Sequence, residues 1–164
     1  MKILKHKMNN KKFFLFFILS FLIFLFFLLF IFTSVDKIEF NDGDIVKAKI
    51  GGQEIFVELA VSSSKQYLGL SHRESIPKDY GMLFLFPEKG VKSFVMRDMN
   101  FNLDIVFIDE NKIIEIYKNL PFDKNKQEIL YNSSIAVNQV LELNGGFCDE
   151  HKILPGDDFL LDIK

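Results

Sequence analysis

The sequence predicts a mainly β fold: a small β-barrel or jelly-roll-like domain with one or two short helices, preceded by one N-terminal transmembrane helix. Three observations carry this expectation. Residues 13–32 form an apolar run broken only by Ser20, the chain beyond Asp44 is a succession of short apolar or alternating segments separated by turn residues, and the two parts carry opposite charge.

Twenty helical residues at a rise of about 1.5 Å cover a hydrocarbon core of about 30 Å. A buried core helix would show a polar face or need a larger domain around it, and the run has no helical period. Lys2, Lys5, Lys7, Lys11 and Lys12 precede it without an acidic residue, and Asp36 follows. The positive-inside bias then keeps the N-terminus cytoplasmic and sends the C-terminal domain to the periplasmic or extracellular side. A cleaved signal peptide has an apolar region of about 7 to 15 residues ending in small side chains. Ile31-Phe32-Thr33-Ser34 is bulky at that place, so a retained signal anchor is expected. The expected organisation is a cytoplasmic basic segment over 1–12, the membrane helix over 13–32, a juxtamembrane linker over 33–44 and an extracytoplasmic β domain over 45–164.

Within that domain, Ile45 to Ile50 and Glu54 to Val61 read as strands, and Gly51-Gly52 between them is a two-residue hairpin turn. Ser62, Ser63 and Ser64 offer N-caps for a short helix through Leu68 that Gly69 ends. Pro77 to Gly81 reads as a turn. Strands are expected again over Met82 to Phe86, Ser93 to Asp98, Leu103 to Ile108 and Lys112 to Leu120, with Asp109-Glu110-Asn111 turning between the last two. Pro121 to Glu128 reads as a polar loop, Ala136 to Leu143 as a strand, Gly146 to Lys152 as a helical turn and Asp158 to Ile163 as a closing strand. Many short strands with few helices point to a barrel or a sandwich.

The 132 residues after the apolar run suit one domain with its own core. All 22 acidic residues lie there against 15 of the basic ones, a net charge of −7 that argues against nucleic acid as a partner. Cys148 is the only cysteine, so no intramolecular disulfide forms, and it reads as a small core residue.

Several ordered blocks carry a resemblance. They are Gly69-Leu70-Ser71-His72-Arg73, Gly81-Met82-Leu83-Phe84-Leu85-Phe86, Phe94 to Asn100, Leu103 to Asp109, and Val140 to Leu143 followed by Gly146 and Gly156-Asp157. In this order the chain resembles the domain-of-unknown-function 192 family over roughly residues 55 to 163. The resemblance implies a compact β domain with short helices and no assigned activity. Val95 stands where the family segment has Trp, and Arg97 where it has Lys.

Arg73, Arg97, Asp104 and Glu142 each stand among apolar residues, where a charge is costly unless paired. On a structural reading Arg73 or Arg97 makes bidentate bonds to Asp104 or Glu142 and fixes the strand register. On a functional reading these charges, with Asn100, line a mouth that holds an anionic or hydroxylated ligand. A third reading makes Asp104 and Glu142 an acid and base pair of an envelope enzyme. Nucleophilic catalysis lacks support, since His72 and His151 are the domain's only imidazoles and neither Ser71 nor Cys148 lies in a nucleophile motif. No ligand set has transition-metal spacing, the oxygen-rich Asn41-Asp42-Gly43-Asp44 and Gly156-Asp157-Asp158 read as turns, and Met82, Met96 and Met99 read as core rather than copper ligands. The expectation is a membrane-anchored binding or scaffolding module of the cell envelope, with no metal or cofactor, taking a small-molecule, saccharide or protein ligand.

Overall fold

A computed structural model describes residues 10–33, 39–122 and 129–162. The expectations for 1–9, for most of the linker, for the heart of the loop after Pro121 and for Ile163 lie outside them. The chain divides into two units, Met1–Glu39 and Phe40–Lys164. In the first, helix α1 spans Asn10–Thr33. Among the described residues no helix is long and apolar enough to cross a membrane.

The second unit is mainly β: a curled half-barrel sheet with two short helices. Strands β1 (Ile45–Ile50) and β2 (Gln53–Ala60) pair antiparallel through the Gly51-Gly52 turn, where both residues have positive φ, as a type I′ turn demands. Helix α2 (Ser63–Leu68) starts at Ser62, whose hydroxyl accepts from the Lys65 amide, and ends at Gly69 with φ 54°. The chain then returns as β3 (Tyr80–Gly90), parallel to β2. This β2-α2-β3 crossover gives the one parallel pairing among the described strands, the others being antiparallel.

Of the strand expected over Ser93 to Asp98 only β4 (Ser93–Phe94) forms, paired with β7 (Tyr131–Asn132), a strand the sequence reading did not anticipate. Asp98 has φ 52°, and the chain turns there. Strands β5 (Leu103–Asp109) and β6 (Lys112–Leu120) form the expected hairpin, β8 (Val137–Asn144) follows, then helix α3 (Phe147–Glu150) and β9 (Phe159–Asp162). The seven-stranded sheet runs β6-β5-β8-β3-β2-β1-β9. It curls until its two edges meet at one end, where Lys112 bridges Asp158 and the Phe159 amide donates to the Asn111 carbonyl at 2.9 Å.

Two apolar clusters lie on opposite faces of this sheet. Inside the curl, Leu59, Leu83, Leu141 and Val106 stand side by side across four strands and pack on Phe147, Ile153 and Phe159. Outside it, Met82, Phe84, Ile105, Phe107 and Val140 pack under Leu70, Ile76 and Met99 from the connections that follow α2 and β4. Met82 and Met99 are thus buried in the outer cluster. Both faces of the central strands are covered, which is why Leu103–Asp109 reads as a nearly continuous apolar run.

Candidate functional site

The register sets the polar residues of the outer face in one row. Glu58 of β2 opposes Met82 of β3, Met82 opposes Glu142 of β8, and Glu142 opposes Ile105 of β5. Partners across a ladder share a face, so Glu58 and Glu142 flank Met82 on the same side.

Glu58 is the partner that Arg73 finds. The guanidinium makes a bidentate pair with its carboxylate, both bonds 2.9 Å, and the Tyr80 hydroxyl donates to it at 3.0 Å. Lys65 of α2 completes the set. Burial works against the Glu58 carboxylate, but the hydrogen bonds from Arg73, Lys65 and Tyr80 outweigh it and hold the pKa at about 2. The expected pairing of an arginine with Asp104 or Glu142 is therefore corrected. The sequence signal for Glu58 was present in Val57-Glu58-Leu59-Ala60, a charge inside an apolar run like those of the residues singled out.

Asp104 lies one position from Ile105 and so points to the inner face, opposite Leu143. It is wholly buried and accepts backbone amides from Asn119 at 2.6 Å, Gly146 at 2.9 Å and Cys148 at 2.7 Å. The carboxylate thus caps α3 from a neighbouring strand and fastens the end of β6. Cys148 beside it is buried, and that burial pushes its thiol up, the profile of an inert core cysteine. Asp104 and Glu142 face opposite sides of the sheet, so the acid and base pair expected of them does not form.

Glu142 is only 5% exposed, and its Oε2 has no hydrogen-bond partner. Burial raises its pKa to about 8, against the opposing pull of the Leu70 amide and the Arg73 charge. Gly69 presses against this carboxyl, its missing Cβ falling 3.4 Å from Oε2. Gly81 passes still closer, because a Cβ there would come within 2.6 Å of the Glu142 carbonyl oxygen and 2.8 Å of Leu143.

Above Glu142 opens a cavity of about 330 Å³, within the range of small-molecule sites. Phe84, Phe86 and Phe94 give it aromatic walls, Leu68, Leu70 and Met99 add apolar surface, and Gln66, Ser71, Ser93 and Arg97 supply polar groups. Arg97 stands in the loop after β4. Its guanidinium stacks 4.0 Å from the centre of the Tyr67 ring and donates to the Tyr67 carbonyl at 2.8 Å. Val95 also lines the cavity, at the position where an indole was expected to be missing.

The cavity roof is made of two loops laced together. The Ser71 hydroxyl donates to the Arg97 carbonyl at 2.9 Å, the His72 amide to the Asp98 carbonyl at 2.9 Å, and Asn100 Nδ2 to the Arg73 carbonyl at 2.9 Å. Asn100 therefore positions the loop and its amide group is spent on backbone. Of the five residues singled out in the sequence, Glu142 and Arg97 line the cavity, Arg73 and Asn100 support it, and Asp104 lies across the sheet. The aromatic walls were not among them, since Phe84 and Phe86 of β3 and Phe94 of β4 read only as core. Among the described residues no cluster of three His, Cys, Asp or Glu side chains is arranged to hold a metal ion.

The family model for DUF192, described as an uncharacterized ACR, matches residues 46–161. The chain belongs to the DUF192 family. Its half-barrel is similar to that of a Sinorhizobium meliloti protein provisionally labelled a transcription regulator, with a TM-score of 0.67 and 28% identity over 75% of this chain and 98% of that one. It is also similar to a Novosphingobium aromaticivorans protein of unknown function, with a TM-score of 0.62 and 30% identity over 70% and 84%. No curated protein matches the chain. Four of the blocks that resembled the family in sequence meet at the DUF192 cavity: Gly69–Arg73 and Phe94–Asn100 form its roof, while the other two supply Phe84 and Phe86 in its walls and Glu142 in its floor.

Proposed function

We propose that this DUF192 chain is a membrane-anchored, extracytoplasmic binding module of the cell envelope whose cavity takes a small ligand. The observation that carries the binding reading is Glu142, a buried carboxyl with an unpartnered oxygen among the lining residues of an aromatic-walled cavity. A buried polar atom without a partner costs about 1–3 kcal/mol, and of the three such oxygens among the described residues, on Asp109, Gln139 and Glu142, only that of Glu142 belongs to the cavity lining, where a ligand can supply the missing bond. Purely structural carboxylates in the same domain, Asp104 and Glu58, have their partners in full.

The anchor reading rests on the apolar run and its basic flank. The described side chains of α1 are all apolar except Ser20 and exposed all round the helix, with Phe14, Leu15, Phe16 and Phe26 each about 70% exposed. Such a surface finds its solvent in lipid. Tethering places the cavity near a membrane surface, so the ligand belongs to the envelope or to the medium that bathes it.

A screen of small molecules against the full chain in detergent micelles tests the binding reading, with the melting temperature as the readout. Binders raise it, and their effect disappears in Arg97→Ala or Glu142→Ala. If no compound shifts the temperature at millimolar concentration, the cavity is not a ligand site. For topology, a reporter active only outside the cytoplasm and fused after Lys164 is expected to be active. An inactive, stably expressed fusion overturns the orientation.

A further inference from the structure

The charge around the cavity narrows its ligand. Among the described residues Glu142 is the only acidic one in the lining, where Arg97 supplies the positive charge; Lys92 lies with its Nζ 4.1 Å from the centre of the Phe86 ring, and the Arg73 and Lys65 pair stands on Glu58 behind the floor, while the Asp98 carboxylate in the roof loop lies beside His72. A ligand cation would meet Arg97 at the wall and would find the Phe86 and Tyr67 rings already covered by Lys92 and Arg97. The apolar walls leave room for about one ring with substituents. With burial favouring its neutral form, the Glu142 carboxyl offers a hydroxyl donor.

Resting on the binding reading above, we propose that the cavity selects a small organic monoanion about one ring in size. Its anionic group meets Arg97, and a carbonyl or hydroxyl oxygen accepts a hydrogen bond from the Glu142 carboxyl. Arg97 is held for this by its stack on Tyr67 and its bond to the Tyr67 carbonyl, which leave the rest of the guanidinium edge for a ligand oxygen. Glu142 serves as a neutral acid of the kind that donates to a developing or resting carbonyl oxygen.

Affinity is then tied to pH through Glu142. The charged and titratable groups around it are Arg73 from the loop after α2, Glu58 of β2 in the same row with Lys65 of α2 and Tyr80 of β3 bonded to it, and Tyr67 of α2 and Arg97 from the loop after β4 in the cavity lining. Glu58 is held ionised by its three donors, and Arg73 and Tyr80 are raised above their ordinary ranges, so none of these three changes charge between pH 7 and 9. Glu142 does, and its ionised form both loses the donor and repels the ligand.

The test uses the full chain in detergent micelles and a panel of one-ring probes matched in threes as carboxylate, carboxamide and methylammonium, half of them bearing an acetyl group. Binding is read by calorimetry and by chemical-shift changes at the amides of Gly69–Ser71 and Phe94–Met99. Acetylated carboxylates are expected to bind best at pH 7, with an affinity that falls about tenfold between pH 7 and 9. Glu142→Gln, which keeps a donor and cannot ionise, is expected to bind without that fall, and Arg97→Ala to lose the preference for carboxylates over carboxamides. A preference for the methylammonium members, or an affinity that rises with pH, overturns the ligand class while leaving the cavity as a binding site. Absence of binding by every member overturns both readings.

Discussion

Glu58 and Glu142 stand in one row on the outer face of the sheet with Met82 between them, and their surroundings favour opposite protonation states. Two carboxyls of the same chemistry diverge because one is surrounded by donors and the other by hydrocarbon. The first locks the crossover between β2 and β3, and the second faces the cavity.

Glu58 makes the domain sensitive to acid. Its folded pKa of about 2 lies below the ordinary 4.5, so its contribution is complete above pH 4.5 and is lost as pH falls from there toward 2. Glu58→Gln is expected to cost about 1–3 kcal/mol at pH 7, less than a fully buried pair because Arg73 is a third exposed. Urea unfolding at pH 7 and near pH 2.5 checks this, with the difference between variant and parent shrinking at the lower pH.

Glu142 acts in the other direction. Its folded pKa of about 8 lies above 4.5, so its contribution is complete below pH 4.5 and is lost as pH rises through about 8. Over that window the parent is expected to lose up to about 1.4 kcal/mol per pH unit relative to Glu142→Gln. Thermal melts of both proteins from pH 5 to 9 show it as a converging or crossing pair of curves.

Asp104 separates structure from chemistry. Replacing it by Asn removes the charge from three short amide bonds, and a loss of about 2–4 kcal/mol is expected in denaturant unfolding. Ligand affinity well below the melting temperature stays unchanged, because the side chain lies on the inner face. A large loss of affinity at preserved stability would instead restore a joint role for Asp104 and Glu142.

Gly81 is fixed by space rather than by backbone conformation. Gly81→Ala forces a methyl group against the Glu142 carbonyl and the Leu143 side chain, and about 1–3 kcal/mol of destabilisation is expected from the crowding between β3 and β8. Denaturant unfolding of this single variant is the check.

Local structure was legible in the sequence where local chemistry decides it. Gly51-Gly52 sets the first hairpin, Ser62 starts α2, and Ile45–Ile50 and Lys112–Leu120 form over the expected residues. What stayed hidden is set by partners far along the chain. Nothing near Glu58 tells that Arg73 will reach it, since the parallel pairing of β2 with β3 brings them together. Alternation placed Asp104 with Val106 and Glu142 with Val140, yet it took the register between β5 and β8 to send the two carboxylates to opposite faces. The segment after Phe94 has strand-forming residues, but its backbone groups bond to the Gly69–Arg73 loop instead of a neighbouring strand. The cavity was accessible only through the family blocks, whose ordered spacing marks the loops that build its roof.

The central claim is that a neutral carboxylic acid closes the bottom of the cavity. Carbon-13 NMR of side-chain carboxyls, with Glu142 assigned through Glu142→Gln, measures its titration in the full chain. A midpoint near pH 8 is predicted. A midpoint near the ordinary 4.5 would mean an ionised, solvated Glu142 and would contradict the account.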